Sequence, residues 1–263
     1  MNRINFTSSP WGFRNVFFED QLKWLSSSGI GYYCGQFFAG ASGLFDPDMT
    51  ENEISVALKK AGKYDMKCAS FNVNGDFMMP DFEAEIDKCC DEIDKAAKFL
   101  PKVLIVFAGW QKRKDEEVYQ QVSFSLKHIA RHAAKYNLTV ALENHGGLTT
   151  TAEQVNRILD GANEPNIGLN YDPANFFMYG VDPFKALMEI KHPIVFTHFK
   201  SVKFDGNVKQ YCRIKDGVID FTPILKRLGE IYTGFYAIEY EDTSDVFDGS
   251  IDDLDTLKKM LNI

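Results

Sequence analysis

Four short apolar segments in the second half of the sequence each run into a residue that can bind a metal ion or move a proton. Val140-Ala141-Leu142 leads to Glu143 and Ile167-Gly168-Leu169-Asn170-Tyr171 to Asp172. Ile194-Val195-Phe196-Thr197 leads to His198, and Tyr236-Ala237-Ile238 to Glu239. Three carboxylates and one imidazole form a hard, mostly oxygen donor set that suits one divalent ion, Mn, Co, Zn or Mg, and the ligand types alone do not choose among these. A cation readily offsets the repulsion of three clustered carboxylates; without one, some would take up protons. The plainer reading makes each a polar strand end tied to its own loop. That reading serves any single residue but weakens when four successive segments end the same way.

Such a cluster needs a scaffold that brings four segment ends together. The chain repeats one pattern: a short β-branched or aromatic run, then a longer stretch with helical periodicity. Strands are predicted over 4–8, 31–36, 66–73, 102–108, 139–143, 167–172, 194–199 and 235–239. Helices are predicted over 17–28, 51–62, 81–100, 116–136, 152–159, 183–190, 223–231 and 251–261. Val118, Val122, Leu126, Ile129 and Ala133 recur at spacings of three and four and make one apolar stripe. Thr151 can cap a helix, Gly29 and Gly62 follow two helix ends, and Pro183 and Pro223 suit first turns. Eight strand–helix alternations predict a single-domain (β/α)8 TIM barrel over residues 1–263, with the four polar ends at the C-terminal mouth where active sites form. An open doubly wound sheet would call for a glycine-rich turn after the first strand, and Ser8-Ser9-Pro10-Trp11-Gly12 is not one.

Other residues are candidates for substrate contact. Lys200 lies two residues after His198 and so faces the same way along a strand, against the alternative of a surface lysine opening a loop. His145 follows Glu143 and either meets substrate or holds the Gly146-Gly147 turn. Asn175, in a Pro-Ala-Asn turn, could bond a hydroxyl or be structural. Trp110, with Trp11 and Phe107, could stack on a sugar ring, although aromatics there more often pack loops. Glu241 alternates with Glu239 and is a rival ligand. His128 and His132 have a metal-binding spacing but fall opposite the apolar stripe, which makes them solvated exterior residues.

The segments Ala141-Leu142-Glu143-Asn144-His145-Gly146-Gly147, Gly168-Leu169-Asn170-Tyr171-Asp172-Pro173-Ala174-Asn175, Thr197-His198-Phe199-Lys200 and Ala237-Ile238-Glu239-Tyr240-Glu241 together resemble the xylose isomerase-like TIM barrel superfamily of sugar phosphate isomerases and epimerases. Gly217-Val218-Ile219-Asp220-Phe221 is similar to a further segment of that family. The resemblance implies that Glu143, Asp172, His198 and Glu239 hold the metal and that Glu143 and Glu239 exchange protons with substrate from opposite sides. It implies a metal-dependent isomerase or epimerase working through a metal-stabilised enediolate on a sugar or keto-polyol. The alternative it carries is a lyase or dehydratase acting on a 3-keto sugar or keto-inositol. The pattern also departs from the tagatose-type 3-epimerases. Thr149 stands where they have an acid, Asn175 where they have a histidine and Phe204 where they have an arginine. Many relatives carry an acid on the second strand where this region reads Gly31-Tyr32-Tyr33-Cys34-Gly35-Gln36, and Ser201 replaces the aspartate of an H-x-K-D segment. These changes point to an unusual substrate or to a different reaction on the same metal.

Composition narrows the partners. The net charge of −8 with no basic stripe disfavours nucleic acid, and with five histidines it disfavours the multi-metal endonucleases of this fold. No apolar run reaches the ~20 residues needed to cross a membrane. The segment Met1–Thr7 does not read as a secretory signal, and five irregularly spaced cysteines suggest reduced thiols, so a cytoplasmic protein is expected. A small carbohydrate-like substrate and, by default, a homodimer complete the expectation. A sugar-binding barrel without catalysis would need one vestigial ligand, and all four are intact.

Overall fold

The computed structural model describes residues 4–263; the first three residues, part of the N-terminal stretch considered above for a signal, lie outside them. Eight parallel strands make one sheet, in the spatial order β1-β10-β7-β6-β5-β4-β3-β2, that forms a nearly closed (β/α)8 barrel. They are β1 (Asn5–Ser8), β2 (Tyr32–Gln36), β3 (Lys67–Asn72), β4 (Val103–Val106), β5 (Thr139–Glu143), β6 (Ile167–Tyr171), β7 (Ile194–Phe199) and β10 (Phe235–Ile238). Each falls within a residue or two of its predicted limits. The intervening helices are α1 (Phe18–Ser27), α2 (Glu51–Lys63), α3 (Phe82–Ala96), α4 (Glu116–Ala134), α5 (Ala152–Ala162), α7 (Pro183–Glu189), α8 (Thr222–Ile231) and α9 (Val246–Met260).

Residues 70–196 form one compact unit. Here β4 reads Val103-Leu104-Ile105-Val106 and all four are buried, as a parallel strand covered on both faces requires. Truncating Leu104 to alanine would cost about 2–5 kcal/mol. The stripe on α4 is fully buried, and Asp115 caps that helix by accepting from Val118 N at 3.1 Å. A capping box of Thr151 and Gln154 starts α5, and Pro183 opens α7. One helix was not expected. Pro173-Ala174-Asn175 is not a simple turn but the first turn of α6 (Pro173–Met178), with Asp172 as its cap.

Residues 1–69 and 197–263 form the other unit, whose described part begins at residue 4. Parallel pairing of β1 with β10, Asn5 opposite Phe235 through Ser8 opposite Ile238, joins its two sequence-distant parts. Gly29 follows α1 with φ +73, as expected, but Gly62 lies inside α2 and the turn is taken by Asp65 at φ +52. Helix α9 begins five residues earlier than predicted. Asp248-Gly249-Ser250 reads as a loop, yet Gly249 is needed because a Cβ there would meet the Tyr240 ring at 2.1 Å. A two-stranded antiparallel ribbon, β8 (Ser201–Asp205) and β9 (Val208–Cys212), follows β7 and was also not anticipated. Among the described residues no helix is long and apolar enough to cross a membrane.

Candidate metal centre

Two of the four expected ligands belong to the unit of residues 70–196. Glu143 closes β5, and Asp172 follows β6 directly. Asn170 Nδ2 donates to Glu143 Oε2 at 2.8 Å and Asn175 Nδ2 to Glu143 Oε1 at 3.1 Å. Asp172 Oδ1 accepts from the backbone N–H groups of Ala174 and Asn175 at 2.8 and 3.1 Å, so the residue that offers a ligand also caps α6. The Asn144 side chain clamps the next backbone over, donating to Asp172 O and accepting from Asp172 N, both at 2.8 Å. Every group in this arrangement is buried. Both carboxylates are thus oriented by uncharged amide dipoles.

The other two ligands belong to the second unit. Pairing of β10 with β7 sets Ala237 opposite His198, and Glu239 N donates to Phe199 O at 2.9 Å. His198 Nδ1 then lies 3.4 Å from Glu239 Oε1. Lys200 Nζ donates to Glu239 Oε2 at 2.7 Å and to Glu241 Oε1 at 2.8 Å, while Ser9 Oγ donates to Glu239 Oε1 at 2.6 Å. Burial alone would raise the Glu239 carboxyl; the charges of His198 and Lys200 and the hydrogen bonds from Lys200 and Ser9 outweigh it and hold the group well below the usual carboxylate range. A histidine bound to a metal is neutral, so in that state the ion rather than the imidazole would supply the opposing charge.

One ligand atom from each of Glu143, Asp172, His198 and Glu239 lies within 4.8 Å of the others, and all four residues are buried. Ligands at ~2.1–2.3 Å from one ion are up to ~4.5 Å apart, so the spacing needs to tighten by only a few tenths of an ångström. The donor set fits a single divalent ion. Glu241, the rival ligand, stands outside the group and bonds Lys200 instead.

The remaining candidates fall in different settings. Lys200 is buried among carboxylates and Asn175 is engaged with Glu143, so neither is a surface residue. His145 is exposed, with its backbone N–H bonded to Thr149 Oγ1. Its ring meets Phe107 and Trp110 edge-on, each at 5.3 Å between centroids, and Trp110 is 58% exposed. Trp11 carries Arg14 over its face at 4.9 Å and meets Phe38. Thr149 is buried within its own turn, and Phe204 is exposed on the β8–β9 ribbon. His128 is exposed as expected, but His132 is only partly so and bonds Asp94 Oδ1 of α3 at 2.5 Å.

Three participants escaped the sequence reading: Asn144, Asn170 and Ser9. Asn170 could have been found, since it alternates with Asp172 inside an otherwise apolar strand and so shares its face. Ser9 depends on the pairing of β1 with β10, 230 residues away, which no local pattern announces.

Comparison with known proteins gives a consistent picture. The family model of the xylose isomerase-like TIM barrel matches residues 24–260. An inosose dehydratase of Bacillus velezensis is 27% identical over 145 residues, covering 48% of each chain, so the chain spans about half the length of the curated relatives it matches. Two solved structures share the fold. The probable 3-DHS dehydratase AsbF of Bacillus anthracis, involved in petrobactin synthesis, has a TM-score of 0.81 and 19% identity over 97% of this chain and 99% of its own. The IOLI protein with a bound zinc atom has a TM-score of 0.80 and 16% identity over 99% and 98%.

Proposed function

This chain belongs to the xylose isomerase-like TIM barrel family, and from that premise we propose that it is a divalent-metal-dependent enzyme that removes a proton next to the carbonyl of a sugar or keto-polyol and expels a β-hydroxyl as water. The observation that carries the reading is the buried group of Glu143, Asp172, His198 and Glu239. A bound divalent ion would polarise a substrate oxygen and acidify the neighbouring C–H bond. Glu143, oriented by Asn170 and Asn175, takes the proton from carbon. Lys200 Nζ gives a proton to the departing hydroxyl, which leaves as water, and the two residues then recover their starting states through solvent. Two observations support dehydration. The relative from Bacillus velezensis is named for that reaction, and Glu239 is engaged by Lys200 and Ser9, which leaves Lys200 placed as a second, cationic donor.

Isomerisation or epimerisation is the second reading, supported by the presence of two carboxylates, Glu143 and Glu239, in one group of ligand atoms. Here Glu239, rather than Lys200, completes the reaction by returning the proton to carbon. In either case His145 and Trp110 are proposed to meet the substrate ring and Asn175 to position Glu143.

Incubating the metal-loaded protein with inosose and with keto sugars in deuterium oxide tests the proposal. Deuterium in recovered substrate or its isomer, with no loss of water, supports the second reading. A dehydrated product supports the first. Absence of both, with metal bound, would sink the shared proton-abstraction step.

A further inference from the structure

One strand end in the unit of residues 1–69 and 197–263 carries a buried acceptor with no hydrogen-bond partner among the described residues, Gln36 Oε1. Its position follows from its neighbours. Thr7 Oγ1 donates to Tyr32 O at 3.1 Å and lies 3.4 Å from Cys34 Sγ, so Thr7 and Cys34 meet across β1 and β2. Side chains two residues apart on a strand share a face, which puts Ser9 with Thr7 and Gln36 with Cys34. The Ser9 N–H continues the β1 ladder by donating to Ile238 O at 2.7 Å. Gln36 is therefore level with Ser9, one step nearer the C-terminal mouth than the Thr7–Cys34 contact. Ser9 Oγ is the hydroxyl that donates to Glu239 Oε1 at 2.6 Å. The next residue on the Gln36 face, Phe38, is 45% exposed and meets Trp11 at 5.5 Å between ring centroids.

The main chain here is fixed. Gln36 O accepts from Phe45 N at 2.9 Å, and Phe38 N donates to Phe45 O at 2.8 Å. The side chain is 9% exposed, and a buried acceptor left unbonded costs stability, so the fold alone gives no reason for an amide at this position. The kind of atom that is left unbonded says what would complete it. A carbonyl, a carboxylate or a fully ionised phosphate brings only acceptors. A hydroxyl brings a donor and no charge.

We infer that Gln36 is a substrate-binding residue whose Oε1 accepts from a hydroxyl of the polyol, so that the part of the substrate reaching the end of β2 carries a hydroxyl rather than a carbonyl, a carboxylate or a phosphate. The inference rests on the substrate class proposed above and deepens it by giving one hydroxyl a partner. A site built to bond a hydroxyl discriminates against the analogue that lacks it, because the protein acceptor is then left unbonded.

The test titrates inositol and its monodeoxy analogues, each lacking one hydroxyl, calorimetrically into the metal-loaded wild type, Gln36→Met and Gln36→Glu. The wild type should bind one monodeoxy analogue about tenfold more weakly than inositol, the loss of one hydrogen bond. Gln36→Met, similar in size but without the acceptor, should bind inositol about tenfold more weakly and no longer distinguish that analogue. Its metal content should be unchanged and its melting temperature equal or higher, since an unbonded acceptor has been removed. Gln36→Glu keeps an acceptor at the same length and should still distinguish the analogue; it also stands in if the methionine variant does not fold. Wild-type affinity for inositol in Gln36→Met, or a lowered melting temperature there, overturns the inference by assigning Gln36 to the fold. Loss of discrimination in Gln36→Glu overturns it by showing that the amide N–H, not Oε1, meets the ligand. No binding of inositol by the wild type overturns it too. These titrations need no turnover, so failure of the proposed reaction is read separately in the deuterium experiment.

Discussion

The two pairs of candidate ligands are held by different physics. Glu143 accepts from two asparagine amides and Asp172 from two backbone N–H groups. His198 and Glu239 sit beside a buried lysine, a serine hydroxyl and a second glutamate. Neutral dipoles fix a carboxylate with little dependence on pH or salt. A buried ion pair fixes one strongly but leaves a charge exposed to its low-dielectric surroundings whenever a partner is lost. The difference implies that the hydrogen bonds on the first pair depend less on pH and salt than the ion pair at Glu239.

The largest effect should come from removing a ligand in either half. Glu143→Gln and His198→Ala are each expected to reduce metal content from about one ion per chain to near zero and turnover by about a thousandfold or more, read by elemental analysis and the deuterium assay. Chelation of the wild type should likewise lower its melting temperature and leave those variants unchanged. Equal metal content in wild type and variants would end the argument for the centre.

Lys200→Met should then separate the halves. It leaves Glu239 buried without its ammonium partner and should cost about 3–5 kcal/mol in urea unfolding. Asp253 sharpens the same contrast within the charged unit. Burial, only partly relieved by the Ile214 N–H, pushes its carboxyl from 3.8 up to about 7. The folded protein therefore holds this proton more tightly than the unfolded chain does. Stability is lost as pH rises from about 4 to about 7, and the penalty is complete above that. Asp253→Asn, which keeps an acceptor for Ile214 N, should stabilise by about 2–4 kcal/mol at pH 8 and by almost nothing at pH 4. A pH-independent gain would show that the carboxyl is not protonated in the fold.

Asn175→Ala should cost less, about 1.5–3 kcal/mol, since it removes one hydrogen bond from an uncharged amide to the Glu143 carboxylate. If it proved as damaging as Lys200→Met, the contrast between the halves would collapse. The smallest effect is expected at Trp110. With the ring 58% exposed, Trp110→Ala should change stability by no more than about 0.5 kcal/mol while raising KM several-fold. An unchanged KM would remove Trp110 from the substrate surface.

The strands were legible because each is a short apolar run closed by a polar residue, and Glu143, Asp172, His198 and Glu239 were legible for the same reason. What escaped detection depends on tertiary context. Pro173-Ala174-Asn175 reads as a turn until Asp172 is seen capping a helix. Ser201–Cys212 carries Lys203, Asp205, Lys209 and Gln210, so its strand alternation is masked by charge, and ribbon formation waits on pairing such as Ser201 with Cys212. Gly249 looks like a breaker and is instead a point of close contact with Tyr240. The partners of the ligands were harder still to find, because Asn144 acts through its side chain on another strand's backbone.

The pairing of β1 with β10 also has a kinetic side. The bond from Asn175 to Glu143 spans 32 residues and that from Ser9 to Glu239 spans 230. Closing the longer loop costs more chain entropy and comes late in folding, when the first strand docks on the last. Glu143 and Asp172 can thus take shape while the chain is still an open sheet, whereas Glu239 gains its serine only at ring closure.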